Sequence, residues 1–213
     1  DKFQQNFFGE YYTGLAYGAV KDFSNALKYL TSAEIIARAT ATNRLTHAFY
    51  FQLGRAYEQS QKFKEAEDYF RKALELNPGY ITAHHWYGVF LVLTGKFQEG
   101  LAAVKKAAEL DPLSIIIQWT LGYIYYYARD YENALQACRR AIELDPVFAR
   151  VYIDIGLCYI QQGRFQDGIY EIQRGIALME PTPGLMATLA YAYGVSGQKQ
   201  EAQKILNEIQ EES

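Results

Sequence analysis

Residues 115–148 read IIIQWTLGYIYYYARDYENALQACRRAIELDPVF and comprise two segments of different character. Residues 115–128 are apolar on nearly every side, whereas residues 131–144 place apolar and polar side chains at the spacing of an amphipathic helix. The stretch therefore predicts two consecutive helices. Because the first has no polar face, it must be covered on more than one side.

The same two-helix unit recurs at a fixed period. Pro78, Pro112 and Pro146 are 34 residues apart (112 − 78 and 146 − 112), and they close the similar sequences ALELNP, AAELDP and AIELDP. Proline ends a helix because it has no N–H to donate and its ring clashes with the preceding turn. A fixed period of this length predicts an array of stacked repeats.

Small and aromatic residues recur at fixed offsets within each repeat. The eighth position holds glycine, the twentieth and twenty-seventh hold alanine or glycine, and the seventeenth holds an aromatic residue where the second helix starts. In that order these are Gly54, Gly88, Gly122 and Gly156; Ala66, Gly100, Ala134 and Gly168; Ala73, Ala107, Ala141 and Gly175; and Phe63, Phe97, Tyr131 and Phe165. The three small positions predict three places in each repeat where helices approach closely.

Composition excludes several classes of partner. The chain has 213 residues, of which 50% are hydrophobic and 21% charged, and this composition is typical of a globular protein. Its net charge of −3 and its scattered Lys and Arg residues argue against nucleic-acid binding. The longest apolar run, residues 86–93, is far shorter than the roughly 20 residues needed to span a bilayer, so no direct membrane insertion is expected.

The two cysteines bear on the compartment. Cys138 and Cys158 have neither the spacing of a metal site nor the number of a disulfide framework, so we expect buried thiols in a cytoplasmic protein. The sequence does not begin with Met, so a fragment or a processed form of a longer chain is equally compatible with it.

These repeats resemble the tetratricopeptide repeat (TPR) over nearly the whole chain. Residues 47–80, HAFYFQLGRAYEQSQKFKEAEDYFRKALELNPGY, match the family best, with Tyr50, Leu53, Gly54, Tyr57, Ala66, Phe70, Ala73 and Pro78 at its signature positions. The resemblance implies an all-α fold, a right-handed α-solenoid of antiparallel helix pairs (the TPR superhelix), as a single array over residues 1–213. Six repeats are expected, at residues 7–46, 47–80, 81–114, 115–148, 149–182 and 183–210.

Two regions depart from the regular period. Residues 41–46 are inserted before the second repeat, and we interpret them as an extension of the preceding helix. At the other end no further helix is evident after residue 210 to cap the array. We therefore expect Ile205, Leu206 and Ile209 to be partly exposed.

The resemblance also predicts a binding groove. In the family the first helix of each pair lines the concave surface, and its second, fifth, ninth, twelfth and thirteenth positions face the ligand. The residues expected in the partner-binding groove are Tyr11, Phe51, Arg55, His85, Val89, Trp119, Tyr123, Tyr126, Tyr127, Arg150 and Tyr191. This groove would explain why residues 115–128 lack a polar face. The alternative is that their rings belong to ordinary packing between helices.

No pattern of catalytic or metal-binding residues stands out. Residues 88–96 lack the spacing of a phosphate-binding loop and the Ser or Thr that would follow its Lys. His84 and His85 are adjacent, so on a helix they point about 100° apart and cannot share a metal. The Ser residues have no His beside them. We expect no enzyme activity, no cofactor and no metal site.

The chemistry of the predicted groove suggests its ligand. Family members that bind chaperones hold a C-terminal carboxylate with Lys, Asn and Arg residues, but here the corresponding positions are Phe51, Arg55, Trp86, Ile116 and Thr120. An apolar or amphipathic segment of a partner protein is therefore the better match, and Arg55 and Arg150 would select acidic residues at its flanks. The alternatives are a homo-oligomerisation module, or the regulatory portion of a larger signalling or transcription-control protein.

Overall fold

In a computed structural model, the described backbone comprises residues 2–40 and 43–211, with side chains described from residue 6 onward. Over these residues the chain forms twelve helices and no strand, which confirms the predicted all-α fold of helix pairs. The helices are α1 (Lys2–Ala19), α2 (Phe23–Ala39), α3 (His47–Gln59), α4 (Phe63–Leu76), α5 (Ile81–Leu93), α6 (Phe97–Leu110), α7 (Ile115–Tyr127), α8 (Tyr131–Leu144), α9 (Ala149–Gln161), α10 (Phe165–Ala177), α11 (Pro183–Val195) and α12 (Lys199–Glu211).

The chain divides into two compact units, each containing three helix pairs. Unit 1 is Asp1–Leu110 with helices α1 to α6, and unit 2 is Asp111–Ser213 with helices α7 to α12. In each unit the two helices of a pair pack against each other, and successive pairs are also in contact. In unit 2, for example, α9 packs against its partner α10 and also against α7 and α8 of the preceding pair.

A residue in the left-handed conformation ends the first helix of every described pair. These residues are Lys21, Gln61, Gly95, Arg129, Gly163 and Gly197, with φ between 59° and 87°. This conformation is costly for residues other than glycine, so Gly95, Gly163 and Gly197 suit it best.

The segment between α2 and α3 differs from expectation. Helix α2 ends at Ala39, with Thr40 as its C-cap, and residues 43–44 form a turn. Thr46 then caps α3, since its side chain accepts a hydrogen bond from the Phe49 N–H at 3.2 Å. The predicted helical extension is therefore wrong for residues 43–46, whereas residues 41–42 lie outside the described part of the chain.

Small residues allow the two helices of a pair to approach closely. A Cβ atom added to Gly156 would lie 2.6 Å from the backbone oxygen of Gly168, and one added to Gly88 would lie 2.8 Å from that of Gly100. These distances are too short for a carbon atom, so only glycine fits at the two contacts. The close approach predicted from the repeat pattern is confirmed there.

The last helix buries part of its apolar face. Ile205 is buried in a core cluster that includes Leu189 and Ala190, whereas Leu206 is exposed and Ile209 is half-buried. The expectation of partial exposure was therefore wrong for Ile205, because α12 packs against α11 and covers it.

Candidate functional site

Helix α7 of unit 2 has a buried face and a partly open aromatic face. Ile117, Leu121 and Ile124 are buried in the unit. The aromatic face consists of Trp119, Tyr123 and Tyr126, which are half-buried, and Tyr127, which is 61% exposed. The helix is thus apolar all round because its second face carries rings that their own unit covers only in part.

The rings of this face contact one another. The Tyr123 and Tyr127 ring centroids are 4.7 Å apart, those of Tyr126 and Tyr127 are 5.3 Å apart, and that of Trp119 lies 6.1 Å from Tyr123. Phe148, next to α9, packs edge-on against Trp119 at 6.1 Å. Aromatic pairs at these separations stabilise each other and hold one arrangement. The face is a continuous aromatic surface.

The Tyr123 and Tyr126 hydroxyls of this surface are neutral at physiological pH. A hydrogen bond with Tyr127, together with burial, raises the pKa of Tyr123 to about 12. Burial raises the pKa of Tyr126 to about 12, and nearby Tyr191 contributes in the same direction. Neutral hydroxyls can donate and accept hydrogen bonds without adding charge to the surface.

A buried carboxylate lies behind the aromatic surface. Asp154 on α9 is only 7% exposed, and its Oδ2 accepts a hydrogen bond from the Trp119 Nε1–H at 2.5 Å. Burial raises the pKa of Asp154, while the bond from Trp119 and the charge of Arg150 lower it. The sequence-based site did not include Asp154. A single acidic residue within the apolar run of residues 151–160 was the available signal.

Helices α9 and α11 extend the candidate surface. Arg150 is exposed on α9, Tyr191 is exposed on α11, and the Gln161 side-chain amide donates to the Tyr191 hydroxyl at 3.3 Å. A cavity of about 260 Å³ lies between these two helices. Its lining residues are Arg150, Ile153, Asp154, Leu157, Thr182, Gly184, Leu185 and Thr188. Unit 2 thus contains aromatic rings, a cavity and one exposed cationic side chain on its first helices.

The predicted site residues on α3 of unit 1 lie in different surroundings. Phe51 is 5% exposed and contacts Phe70 and Tyr80, so its ring belongs to the core. The Arg55 guanidinium lies 4.1 Å from the centre of the Trp86 ring and 3.0 Å from a Glu58 carboxylate oxygen. Its charge is therefore already engaged within the unit.

The remaining site residues of unit 1 are also largely covered. His85 is buried, and burial together with the charge of Arg55 lowers its pKa, which favours the neutral ring. Val89 and Tyr11 are half-buried, and the Tyr11 ring packs against Phe49 at 5.5 Å. Unit 1 therefore offers a partner fewer open rings at its predicted positions than unit 2.

The described residues contain neither a cluster of metal-binding side chains nor a membrane-spanning helix. Within those residues, no group of three or more His, Cys, Asp and Glu side chains is arranged to hold a metal ion. None of the helices in the described part of the chain combines the length and the apolar character needed to cross a membrane.

Comparison with known proteins identifies the repeats. One family model of the tetratricopeptide repeat matches residues 47–80, and another matches residues 119–184. These matches agree with the second repeat and with most of the fourth and fifth repeats predicted from the sequence. No curated protein matches the chain significantly.

Solved structures share the fold. A tetratricopeptide repeat protein from Parabacteroides merdae is similar with a TM-score of 0.85 and 18% identity, over 98% of this chain and 80% of that one. Pseudomonas aeruginosa PilF is similar with a TM-score of 0.76 and 14% identity, over 96% of this chain and 90% of that one. A MamA protein is similar with a TM-score of 0.66 and 23% identity, over 78% of this chain and 91% of that one. At these identities the likeness shows the fold alone.

The fold has a general functional implication. Tetratricopeptide repeats suggest a scaffold for protein interactions, and such a fold is typically non-catalytic. The two family-model matches, the twelve paired helices and the related solved structures all agree. The chain is a tetratricopeptide-repeat protein with about six repeats.

Proposed function

We propose that this protein is a scaffold that binds an apolar or amphipathic segment of a partner protein on the aromatic surface of unit 2. The observation that carries this proposal is the exposure of rings on α7, above all Tyr127 at 61%. Contiguous exposed aromatic rings are costly to hydrate and are typical of interaction sites. Tyrosine and tryptophan suit such a site because they bury a large area with little loss of rotamer freedom.

The composition of the surface defines the partner's chemistry. Apolar side chains of the partner would pack against Trp119, Tyr123 and Tyr126, while polar groups at its edge would reach the Tyr127 and Tyr191 hydroxyls. Exposed Arg150 provides a positive charge for an acidic residue flanking the apolar segment. Arg55 of unit 1 is left out of this role because its charge already pairs with Glu58 at 3.0 Å.

The proposal can be tested with selected peptides and a matched pair of tyrosines. Tyr127 on α7 and Tyr170 on α10 are equally exposed, at 61% and 63%, but they lie on the first and second helices of their pairs. Peptides would be selected from a displayed random library on the wild-type protein, and their dissociation constants measured by fluorescence anisotropy. We expect Tyr127→Ala to weaken binding about tenfold, as for a moderate interface hot spot.

The control variant determines how the result is interpreted. Tyr170→Ala removes a ring of equal exposure away from the proposed surface and should leave affinity unchanged. Circular dichroism would establish that both variants keep the helical fold. Failure to select any peptide, or peptides whose affinity is insensitive to Tyr127→Ala, would refute the proposed surface.

A further inference from the structure

The hydrogen bond between Trp119 and Asp154 connects the candidate surface to a buried charge. Trp119 lies on α7 and Asp154 on α9, so the 2.5 Å contact joins the first helices of two consecutive pairs. The indole has one hydrogen-bond donor and no acceptor, so the bond fixes which edge of the ring is turned toward α9.

Keeping a carboxylate at this position has a cost. Burying an ionised group is unfavourable unless hydrogen bonds or opposite charges compensate for the lost water. In the described part of the chain, the Trp119 N–H donates a hydrogen bond to Asp154, and Arg150, one turn away, forms no ion pair with it within 4.0 Å. The hydrogen bond from Trp119 is thus the main specific interaction that offsets the cost of burying the Asp154 carboxylate.

We infer that Asp154 is a positioning residue that holds the Trp119 indole in the orientation required for partner binding. The inference rests on the proposed function of the aromatic surface. Without the acceptor the orientation of the indole would no longer be fixed, since its ring contacts with Tyr123 and Phe148 are packing contacts at 6.1 Å between ring centroids. A ring free to turn must be ordered again on binding, and this ordering lowers affinity.

A pair of variants separates the hydrogen bond from the charge. Asp154→Asn removes the charge but keeps an oxygen that can accept the indole N–H, whereas Asp154→Leu has a similar shape and no acceptor. The direct readout is the NMR resonance of the Trp119 indole N–H and its rate of hydrogen exchange. Because the chain has two tryptophans, a Trp86→Phe background leaves only the Trp119 signal.

We expect the indole N–H of the wild type and of Asp154→Asn to be protected from exchange, and that of Asp154→Leu to lose this protection. Affinity for the library-selected peptides should fall about tenfold in Asp154→Leu and remain near the wild-type value in Asp154→Asn. An unchanged indole signal in Asp154→Leu would overturn the inference. So would an altered signal in that variant without loss of affinity.

The two variants also separate positioning from direct contact, since Asp154 lines the cavity between α9 and α11. If the carboxylate paired with a cationic group of the peptide, Asp154→Asn would lose affinity while its indole signal stayed intact, and positioning would be refuted. If the wild type selected no peptide, the proposed function would fail. The indole signal would still determine whether Asp154 orients Trp119.

Discussion

The two units place different chemistry at equivalent positions of their first helices. At the ninth position of α3 in unit 1, Arg55 pairs with Glu58 at 3.0 Å and lies over Trp86 at 4.1 Å. At the ninth position of α7 in unit 2, Tyr123 contacts the ring of Tyr127, which is largely exposed. The charge in unit 1 is compensated internally, whereas the rings in unit 2 are left partly uncovered.

This difference shows that the repeat framework and its surface vary independently. The eighth position is Gly54 in α3 and Gly122 in α7, and the twentieth is Ala66 and Ala134, so both pairs have small residues at the same positions. Stability of a repeat array depends mainly on such contacts within and between neighbouring repeats. Surface positions on the first helices are therefore free to carry either a self-contained ion pair or a group of partly exposed aromatic rings.

The largest expected effect is on binding. We expect the double substitution Trp119→Ala and Tyr126→Ala to weaken binding of the selected peptides by about a hundredfold, because hot-spot rings each contribute about 1–2 kcal/mol or more. The equivalent experiment in unit 1, Arg55→Ala with Trp86→Ala, should change affinity by less than about threefold, because Arg55 is already paired. The affinities would be measured by fluorescence anisotropy.

A larger loss from the unit 1 pair than from the unit 2 pair would reverse the comparison and move the binding surface to unit 1. Circular dichroism of both double variants would control for loss of structure.

The next effect is on stability and distinguishes two glycines at the same repeat position. We expect Gly156→Ala in unit 2 to lower the free energy of unfolding by about 2 kcal/mol, because the new Cβ would meet the Gly168 backbone oxygen, which cannot move aside. Gly54→Ala in unit 1 should change it by less than about 1 kcal/mol. Its Cβ would meet Phe70 ring atoms at 3.1 Å, and the higher helix propensity of alanine offsets that strain.

Urea denaturation followed by circular dichroism would measure both glycine variants. Equal losses would mean that the side-chain contact at Gly54 is as rigid as the backbone contact at Gly156, contrary to the distances.

The smallest effect concerns pH and has opposite signs for two carboxyl groups. Burial raises the pKa of Asp154 in unit 2 above its ordinary value of 3.8. In unit 1, burial alone would raise the pKa of Glu67, but hydrogen bonds and charges of Lys96 and Arg71, each 2.7 Å away, lower it overall. Folded Asp154 therefore binds a proton more readily than unfolded Asp154, and folded Glu67 binds one less readily.

As the pH falls from neutral toward 3.8, the wild type should gain stability relative to Asp154→Asn, because the cost of burying the charge disappears. As the pH falls through the folded pKa of Glu67, below its ordinary value of 4.5, the wild type should lose stability relative to Glu67→Gln. Urea midpoints at a series of pH values would provide both comparisons. If the stability of the wild type changed in the same direction relative to both variants as the pH fell, the causes assigned to the two pKa shifts would be contradicted.

Much of the fold could be predicted from the periodic pattern. Helix α8 begins and ends at Tyr131 and Leu144 as expected, because an aromatic residue marks its start and Asp-Pro follows its end. Helix α7 ends at Tyr127, one residue before the prediction. Residues 43–46 of the insertion were misinterpreted because no second copy exists for comparison. Their polar sequence contains Thr46, which caps the following helix instead of extending the preceding one.

The candidate site was less predictable. Phe51 and Trp119 both occupy the fifth position of their repeats, so both were expected to line the groove. In the structure Phe51 is buried against Phe70 and Tyr80, whereas Trp119 remains partly exposed. The outcome depends on side chains contributed by other helices, which lie far away in sequence. Asp154 was missed for the same reason, since its partner Trp119 is 35 residues away.

The sequence by itself determined the repeat, its helix pairs and the glycine contacts within them, because these features depend on local periodicity and on residues a fixed distance apart. Only the tertiary structure decided which side chains remain exposed, that Arg55 is neutralised by Glu58, and that the indole of Trp119 is held by Asp154. Exposure and pairing are properties of how neighbouring helices pack. They cannot be read from one helix alone.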